Sequence, residues 1–225
     1  REDVPKIAKY AYGFDYHYIV KSKLYELKQF IDNKLVQSNG VAFCDSAPVL
    51  ERRWAQQAGL GWIGKNTNLI NPNLGSFFFI GELILDIELE YDKPQSSSYC
   101  GTCIRCIDSC PTKALYKEYS VNASRCISYL TIEKKGEIPE QFDSLLSDCA
   151  FGCDICQDVC PWNAKKAKAH QNEQLEPSKE FLEMKKEDWE NLPKNKFNQM
   201  FKTSALKRAG YKKIKDTLSK LKNKN

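Results

Sequence analysis

Cys100-Gly-Thr-Cys103-Ile-Arg-Cys106-Ile-Asp-Ser-Cys110-Pro111 and, further along, Cys153-Asp-Ile-Cys156-Gln-Asp-Val-Cys160-Pro161 are the stretches whose reading decides the fold. The first has the spacing CxxCxxCxxxCP, in which three thiolates grip three irons of one cubane and the cysteine before proline serves a second cluster. The other stretch repeats the end of that pattern. Two [4Fe–4S] clusters that exchange ligands crosswise follow, the first held by Cys100, Cys103, Cys106 and Cys160. The second takes Cys110, Cys153 and Cys156, and spacing leaves its fourth ligand open between Cys126 and Cys149. Ile104, Ile107, Val159 and the two prolines supply an apolar wrapping.

The composition supports metal over disulfides. Ten cysteines against two histidines means either a disulfide framework or thiolates that bind metal in a reducing compartment. Cysteines two residues apart in series, followed by Cys-Pro, make poor disulfides but suit a loop wrapped round a cluster, so a cytoplasmic location is expected. Zinc sites of the Cys2His2 kind are excluded by the scarcity of histidine. No apolar run is long enough to span a bilayer, and no membrane partner is expected. The 42% apolar content of the 225 residues is that of a chain that buries a core. The net charge of +5 is mild, yet Lys194 to Asn225 holds eleven Lys/Arg against one acid, Asp216. That tail is a basic segment.

Outside the cysteine region, Tyr18, Leu24, Leu27, Phe30, Ile31 and Leu35 recur at helical spacing and predict an amphipathic helix over 18–36. Val41 to Cys44 reads as a short buried strand, with Cys44 a buried strand residue rather than a ligand. Asp45 or Ser46 is placed to cap a helix that runs past Pro48 and Glu51 to Ala58. Gly59, Gly61 and Gly64 leave a loop whose backbone can approach a ligand closely. The stretch Ser76 to Glu90 predicts consecutive strands, and Asp92 to Ser98 a linker. Beyond Pro161 a helix near Ser178 to Asn191 and a lysine-rich terminal helix are expected. The fold class is α+β. An α/β catalytic domain covers 1–95, a ferredoxin-like domain with two clusters covers 96–165, and a short helical basic segment covers 166–225.

Five stretches together resemble the epoxyqueuosine reductases, cobalamin-dependent iron–sulfur enzymes of tRNA modification. They are Tyr10-Ala-Tyr-Gly-Phe-Asp-Tyr-His17, Asp45-Ser-Ala-Pro-Val-Leu-Glu-Arg52, Gly59-Leu-Gly-Trp-Ile-Gly-Lys-Asn66, the CGxCxxCxxxCPT set, and Arg125-Cys-Ile-Ser128 followed by Gly152-Cys-Asp-Ile-Cys-Gln157. The resemblance implies that the first domain binds cobalamin, which the clusters reduce to Co(I), and that the epoxide oxygen of epoxyqueuosine at the tRNA wobble position is removed to give queuosine. It implies that Asp45 donates a proton to the departing oxygen, a role that asks for a carboxyl held protonated by desolvation. It selects Cys126 as the fourth ligand of the second cluster, with Cys149 a spare thiol.

The matching stretches also imply cobalamin contacts from Tyr16, His17, Arg52, Trp62, Gly64, Lys65 and Asn66. On its own terms His17 reads more readily as a hydrogen-bonded structural residue, and the resemblance brings the functional reading level with it; Arg52 and Lys65 read also as surface charges. The expected partners are the anticodon stem-loop of a tRNA and a cellular electron donor such as a flavodoxin or ferredoxin, with the chain a monomer. Phe197, Phe201 and Tyr211, set among the lysines of the tail, suit splayed bases beside a phosphate backbone. Two other readings compete: a plain ferredoxin-like electron carrier, and a reductive dehalogenase-like enzyme acting on small halogenated compounds. Family members usually carry a further N-terminal segment of the cobalamin domain, and many a C-terminal helical-repeat domain.

Overall fold

A computed structural model describes residues 4–222. The chain opens with strand β1 (Lys6–Ile7), and Asp15 then caps helix α1 (Tyr16–Lys34) by accepting the His17 amide N–H at 3.0 Å. Strand β2 (Gly40–Phe43) follows, then helix α2 (Glu51–Gln57), the hairpin of β3 (Trp62–Ile63) and β4 (Leu69–Ile70), and strand β5 (Glu82–Leu85). β2 and β5 pair antiparallel with Ala42 opposite Leu83 and Phe43 opposite Glu82. α1 packs against this ribbon through a narrow stripe that includes Val20 and Leu24, which approach Gly81.

Three expectations change here. α1 exists, yet Tyr18, Leu27, Phe30 and Leu35 lie exposed and Ile19 alone in the helix is fully buried, because a two-stranded ribbon covers one narrow side of it. Within 76–90 only Glu82–Leu85 is a strand; Phe77 to Ile80 run irregularly, anchored by Ser76, whose N–H donates to Asn163 Oδ1 at 2.6 Å. Neither Asp45 nor Ser46 caps α2, which begins at Glu51 after Leu50 with no side-chain cap.

The cysteine region contains α3 (Arg105–Asp108), the hairpin of β6 (Leu115–Lys117) and β7 (Ser120–Val121), α4 (Ile127–Ile132), β8 (Cys149–Phe151), α5 (Ile155–Asp158) and α6 (Pro161–Lys166). α3 and α5 are equivalent single turns, each leading into a Cys-Pro. β8 pairs with β1 in parallel, joining the cysteine region to the N-terminal strand.

The remainder is helical: α7 (Lys179–Glu183), α8 (Lys186–Asn191), α9 (Lys194–Met200) and α10 (Gly210–Lys222). Where one helix is predicted over 178–191 there are two. Ser178 accepts from the Phe181 N–H at 3.2 Å and Asp188 from the Lys185 N–H at 2.8 Å, so each short helix has its own start. The break turns Phe181 and Trp189 into the same core.

That core explains the tail. Phe181, Trp189, Phe197, Phe201, Leu206, Ile214 and Leu218 pack with Ile7, Ala11, Ala150 and Phe151. Trp189 stacks on Phe201 with ring centroids 5.8 Å apart. Burying each of these large side chains contributes roughly 1.5–3 kcal/mol, so the basic segment is an integral layer against β1 and β8.

Candidate functional site

The turn before α1 assembles three titratable side chains. Asp15, held at the helix start, also meets His17 Nδ1 at 2.7 Å through the same Oδ1. A ring nitrogen facing a carboxylate carries the proton, which leaves Nε2 of a neutral His17 as an acceptor. Nε2 stands 3.4 Å from Asp45 Oδ2, and the Tyr16 hydroxyl donates to that oxygen at 2.8 Å. Tyr16 itself is sandwiched, its ring 4.2 Å from His17 and 4.3 Å from Phe79. Burial first, and then the bond to Asp45, push the Tyr16 hydroxyl well above its ordinary pKa, so it remains a donor. The arrangement can hold one proton between Asp45 and His17.

Asp45 follows β2 with φ +57°, a left-handed conformation that an L residue adopts at a cost and that Asp tolerates better than most. Its N–H donates to the Glu51 carboxylate at the start of α2. Its side chain is 62% exposed and opens onto a cavity. Cys44, just before it, is 1% exposed, as a buried strand-end residue should be.

The cavity, about 1030 Å³, is lined by Tyr16, His17 and Asp45 on one side and by Cys110, Cys126, Cys153 and Cys156 on the other. Cys100, Cys103, Cys106 and Cys160 do not line it. The thiols influence one another both within each set and across them, Cys106 acting on Cys156 and Cys149 pairing with Cys153. Burial raises the Cys106 thiol, with a further push from Cys100 and Cys160. Burial likewise raises Cys126, aided by Cys153 and Cys110, and raises Cys156, aided by Cys153 and Cys126. Thiolates gathered in so little space repel, and a cationic iron–sulfur core is what would relieve them. Among the described residues no three Cys, His, Asp or Glu side chains converge as they would on a single ion; thiolates round a cube of iron and sulfide stand further apart than that. A second cavity, about 1290 Å³, meets the first at Tyr10, Tyr16, Asp45, Thr67 and Asn68 and is walled by Phe77, Phe78, Phe79 and Arg52.

The other predicted contacts divide. Asn66, 4% exposed, lines the first cavity and donates from Nδ2 to the Cys156 carbonyl at 3.3 Å, tying the hairpin turn to the cysteine region. Arg52 lines the second cavity and holds the Thr67 carbonyl through Nη1. Trp62, Gly64 and Lys65 line neither. Lys65 is buried with Nζ 2.8 Å from Glu118. Trp62 sits edge-on to Tyr99 and Trp162 beside Cys160 and Cys100. The glycine loop is a hairpin folded on itself: a Cβ on Gly61 would lie 2.2 Å from the Ile70 carbonyl oxygen, and one on Gly64 2.5 Å from Ile70 Cδ1. The close approach that these glycines permit is to the protein's own strand.

The aromatic residues of the tail are not free to stack on bases. Phe197 and Phe201 are each 2% exposed in the core, and Tyr211 donates to the Leu192 carbonyl at 3.0 Å. Lys207 and Arg208 instead line the first cavity, Arg208 bonded bidentately to Glu133. Sequence reasoning overlooked Asp15, Glu51 and Tyr10, although all three lie inside the quoted stretches; the signal was their adjacency to Tyr16, His17 and Asp45.

Comparisons with known proteins place the chain among relatives. The family described as "4Fe-4S double cluster binding domain" matches residues 99–163, and that described as "Epoxyqueuosine reductase QueG, DUF1730" matches residues 1–46. The epoxyqueuosine reductase of Cellulophaga algicola is 49% identical over 217 residues, 96% of this chain and 70% of the relative. That of Escherichia coli is 41% identical over 205 residues, 91% of this chain and 54% of the relative. Among solved structures, an epoxyqueuosine reductase with an epoxyqueuosine-modified tRNA-Tyr stem loop superposes with a TM-score of 0.87 at 30% identity. It matches 97% of this chain and 60% of that one. The Bacillus subtilis enzyme, described with its catalytic aspartate loop swung out of the active site, gives 0.88 at 29% identity over 98% and 58%. The chain thus spans less than two thirds of the solved chains it matches.

Proposed function

The chain belongs to the epoxyqueuosine reductase family, and from that we propose that it reduces epoxyqueuosine to queuosine at the wobble position of tRNA, using cobalamin and two [4Fe–4S] clusters. The observation that carries the reading is one cavity faced by Asp45, Tyr16 and His17 from one side and by Cys110, Cys126, Cys153 and Cys156 from the other. Those four thiols form the ligand set of the inner cluster; Cys100, Cys103, Cys106 and Cys160 form that of the outer one. The outer set, away from the cavity, would hold the cluster that takes electrons from a flavodoxin- or ferredoxin-type donor, and the inner set the one that would pass them toward the cavity.

The residues fit a large, flat, amphipathic cofactor. The two cavities join beside Tyr16 and Asp45, with the phenyl rings of Phe77 to Phe79 along one wall and polar Asn66, Asn68 and Arg52 near the hairpin turn. When bound, cobalamin supplies low-potential electrons to the epoxide carbons. Opening an epoxide to an alkene takes two electrons and two protons and releases water, so the protein's own task is to hold and deliver protons. Asp45 presents one at Oδ2. Tyr16 fixes that carboxyl, and His17, oriented by Asp15, returns the proton through Nε2.

A monomer in the cytoplasm is the state proposed. All ten cysteines are free, which supports a reducing compartment, and among the described residues no helix is long and apolar enough to cross a membrane. A plain electron carrier would need the cysteines but not the assembly round Asp45.

Anaerobic protein with both clusters, cobalamin, reductant and epoxyqueuosine-containing tRNA should yield queuosine by nucleoside analysis; absence of turnover would remove the proposal. Asp45→Asn should cut turnover by about 100-fold or more with cluster absorbance intact.

A further inference from the structure

Asp45 has two kinds of partner. Tyr16 and His17 hold its carboxyl, but its backbone is held by one group only, the Glu51 carboxylate that accepts its N–H. Asp45 sits at φ +57°, between the end of β2 and an uncapped α2; the turn's other bonds, from Ser46 N–H and Oγ to the Cys44 carbonyl and from Val49 N–H to the Ala47 carbonyl, are internal to it and do not tie it to α2.

Behind Glu51 stands a second acid. Glu82, opposite Phe43 in the β2–β5 register, has both carboxylate oxygens buried with no hydrogen-bond donor. The group it faces is Glu51. Two carboxyls in contact bond only through a proton that one of them carries, and with both ionised they repel.

We propose that Glu51, backed by the buried Glu82, is a positioning residue for Asp45: a proton shared by the two glutamates latches the Asp45 turn in place, and its loss releases the turn. The inference rests on the reading of Asp45 as the proton donor. It gives that turn a physical hinge, at residues 44–51, with a pH dependence of its own.

The sign follows from the surroundings. Burial first, and then the Glu51 charge, raise Glu82 to about 7. Cys44 and Asp45, just after β2, stand beside the pair: burial, Glu51, Asp45 and Glu82 raise the Cys44 thiol, and Lys21 of α1 lowers it. A carboxyl raised in the folded state favours the protonated form. The latch is therefore closed at acid pH and lost as pH rises through about 7.

The test is hydrogen exchange by mass spectrometry on the full, cluster-loaded chain without substrate, following the peptide over residues 44–50 and dividing out the intrinsic pH dependence of exchange. In wild type, protection should fall by about tenfold or more from pH 6 to pH 8, the loss expected of one charge-assisted hydrogen bond. Glu82→Gln, whose amide donates to Glu51 at every pH, should keep the protection flat and high. Glu51→Ala should hold it at the low level throughout. Identical pH profiles in wild type and Glu82→Gln, or full protection in Glu51→Ala, would overturn the proposal. Turnover gives a parallel readout: the fall in kcat above about pH 7 should vanish in Glu82→Gln with KM unchanged. Should wild type form no queuosine at any pH, the catalytic reading fails while the exchange data still decide the latch.

Discussion

At the scale of single residues the decisive feature is how little distinguishes a ligand from a bystander. Cys126 and Cys149 both lie between the two cysteine stretches, and spacing assigns neither. Cys126 lines the cavity with Cys110, Cys153 and Cys156, whereas Cys149, although it meets Cys153 side chain to side chain, is a strand residue, 3% exposed, that does not line the cavity and packs against Ile127 and Leu146. Cys126→Ser should therefore lower iron and acid-labile sulfide to roughly half, through loss of one of two cubanes. Cys149→Ser should leave both at the wild-type level, and the reverse result would reassign the ligand. That residues 99–163 form an iron–sulfur region was legible because ligand spacing in a cluster loop is a local constraint. The partnership of Asp15, His17 and Asp45 was not, since nothing in a sequence says that a turn before α1 will face a turn after β2.

At the scale of elements the hairpin β3–β4 shows a glycine motif with a structural purpose. Gly61 packs against the Ile70 carbonyl, and the turn beyond it places Asn66 on the Cys156 backbone and lets Arg52 reach Thr67. Gly61→Ala brings a methyl against backbone that cannot step aside, and should cost about 1–3 kcal/mol, read as a lower midpoint in chemical denaturation. Gly101→Ala separates space from backbone conformation: nothing lies within 4 Å of its Cβ position, so its cost of about 1–2 kcal/mol comes from φ +54°. Helix α1 was legible by periodicity, but which of its apolar residues are covered was not, because that depends on the width of the partner ribbon. The strand expected at Phe77 to Ile80 failed for a related reason. Its apolar side chains face a cavity and Ser76 is tied to Asn163, so no neighbouring strand is there to pair with it.

At the scale of the whole molecule the C-terminal helices close the core over β1 and β8 and bring Lys207 and Arg208 to the cavity rim. Arg208 is already paired with Glu133, so on the C-terminal side of the rim Lys207 is the cation placed to meet a phosphate, with Lys21 of α1 also lining the cavity. Lys207→Ala should weaken binding of the anticodon stem-loop and reduce the slope of log K against log salt by about 0.7–0.9, measured by titration at several salt concentrations. An unchanged slope would move the RNA path away from this rim. From sequence alone followed the iron–sulfur character of residues 99–163 and the family, since these are written in spacings of a few residues. The tertiary structure alone decided that the basic tail is core rather than a free arm, which thiols face Asp45, and what holds its turn. Those outcomes depend on contacts between residues nearly the whole chain apart, such as Ser204 donating to the Ala11 carbonyl, and such contacts leave no local pattern to read.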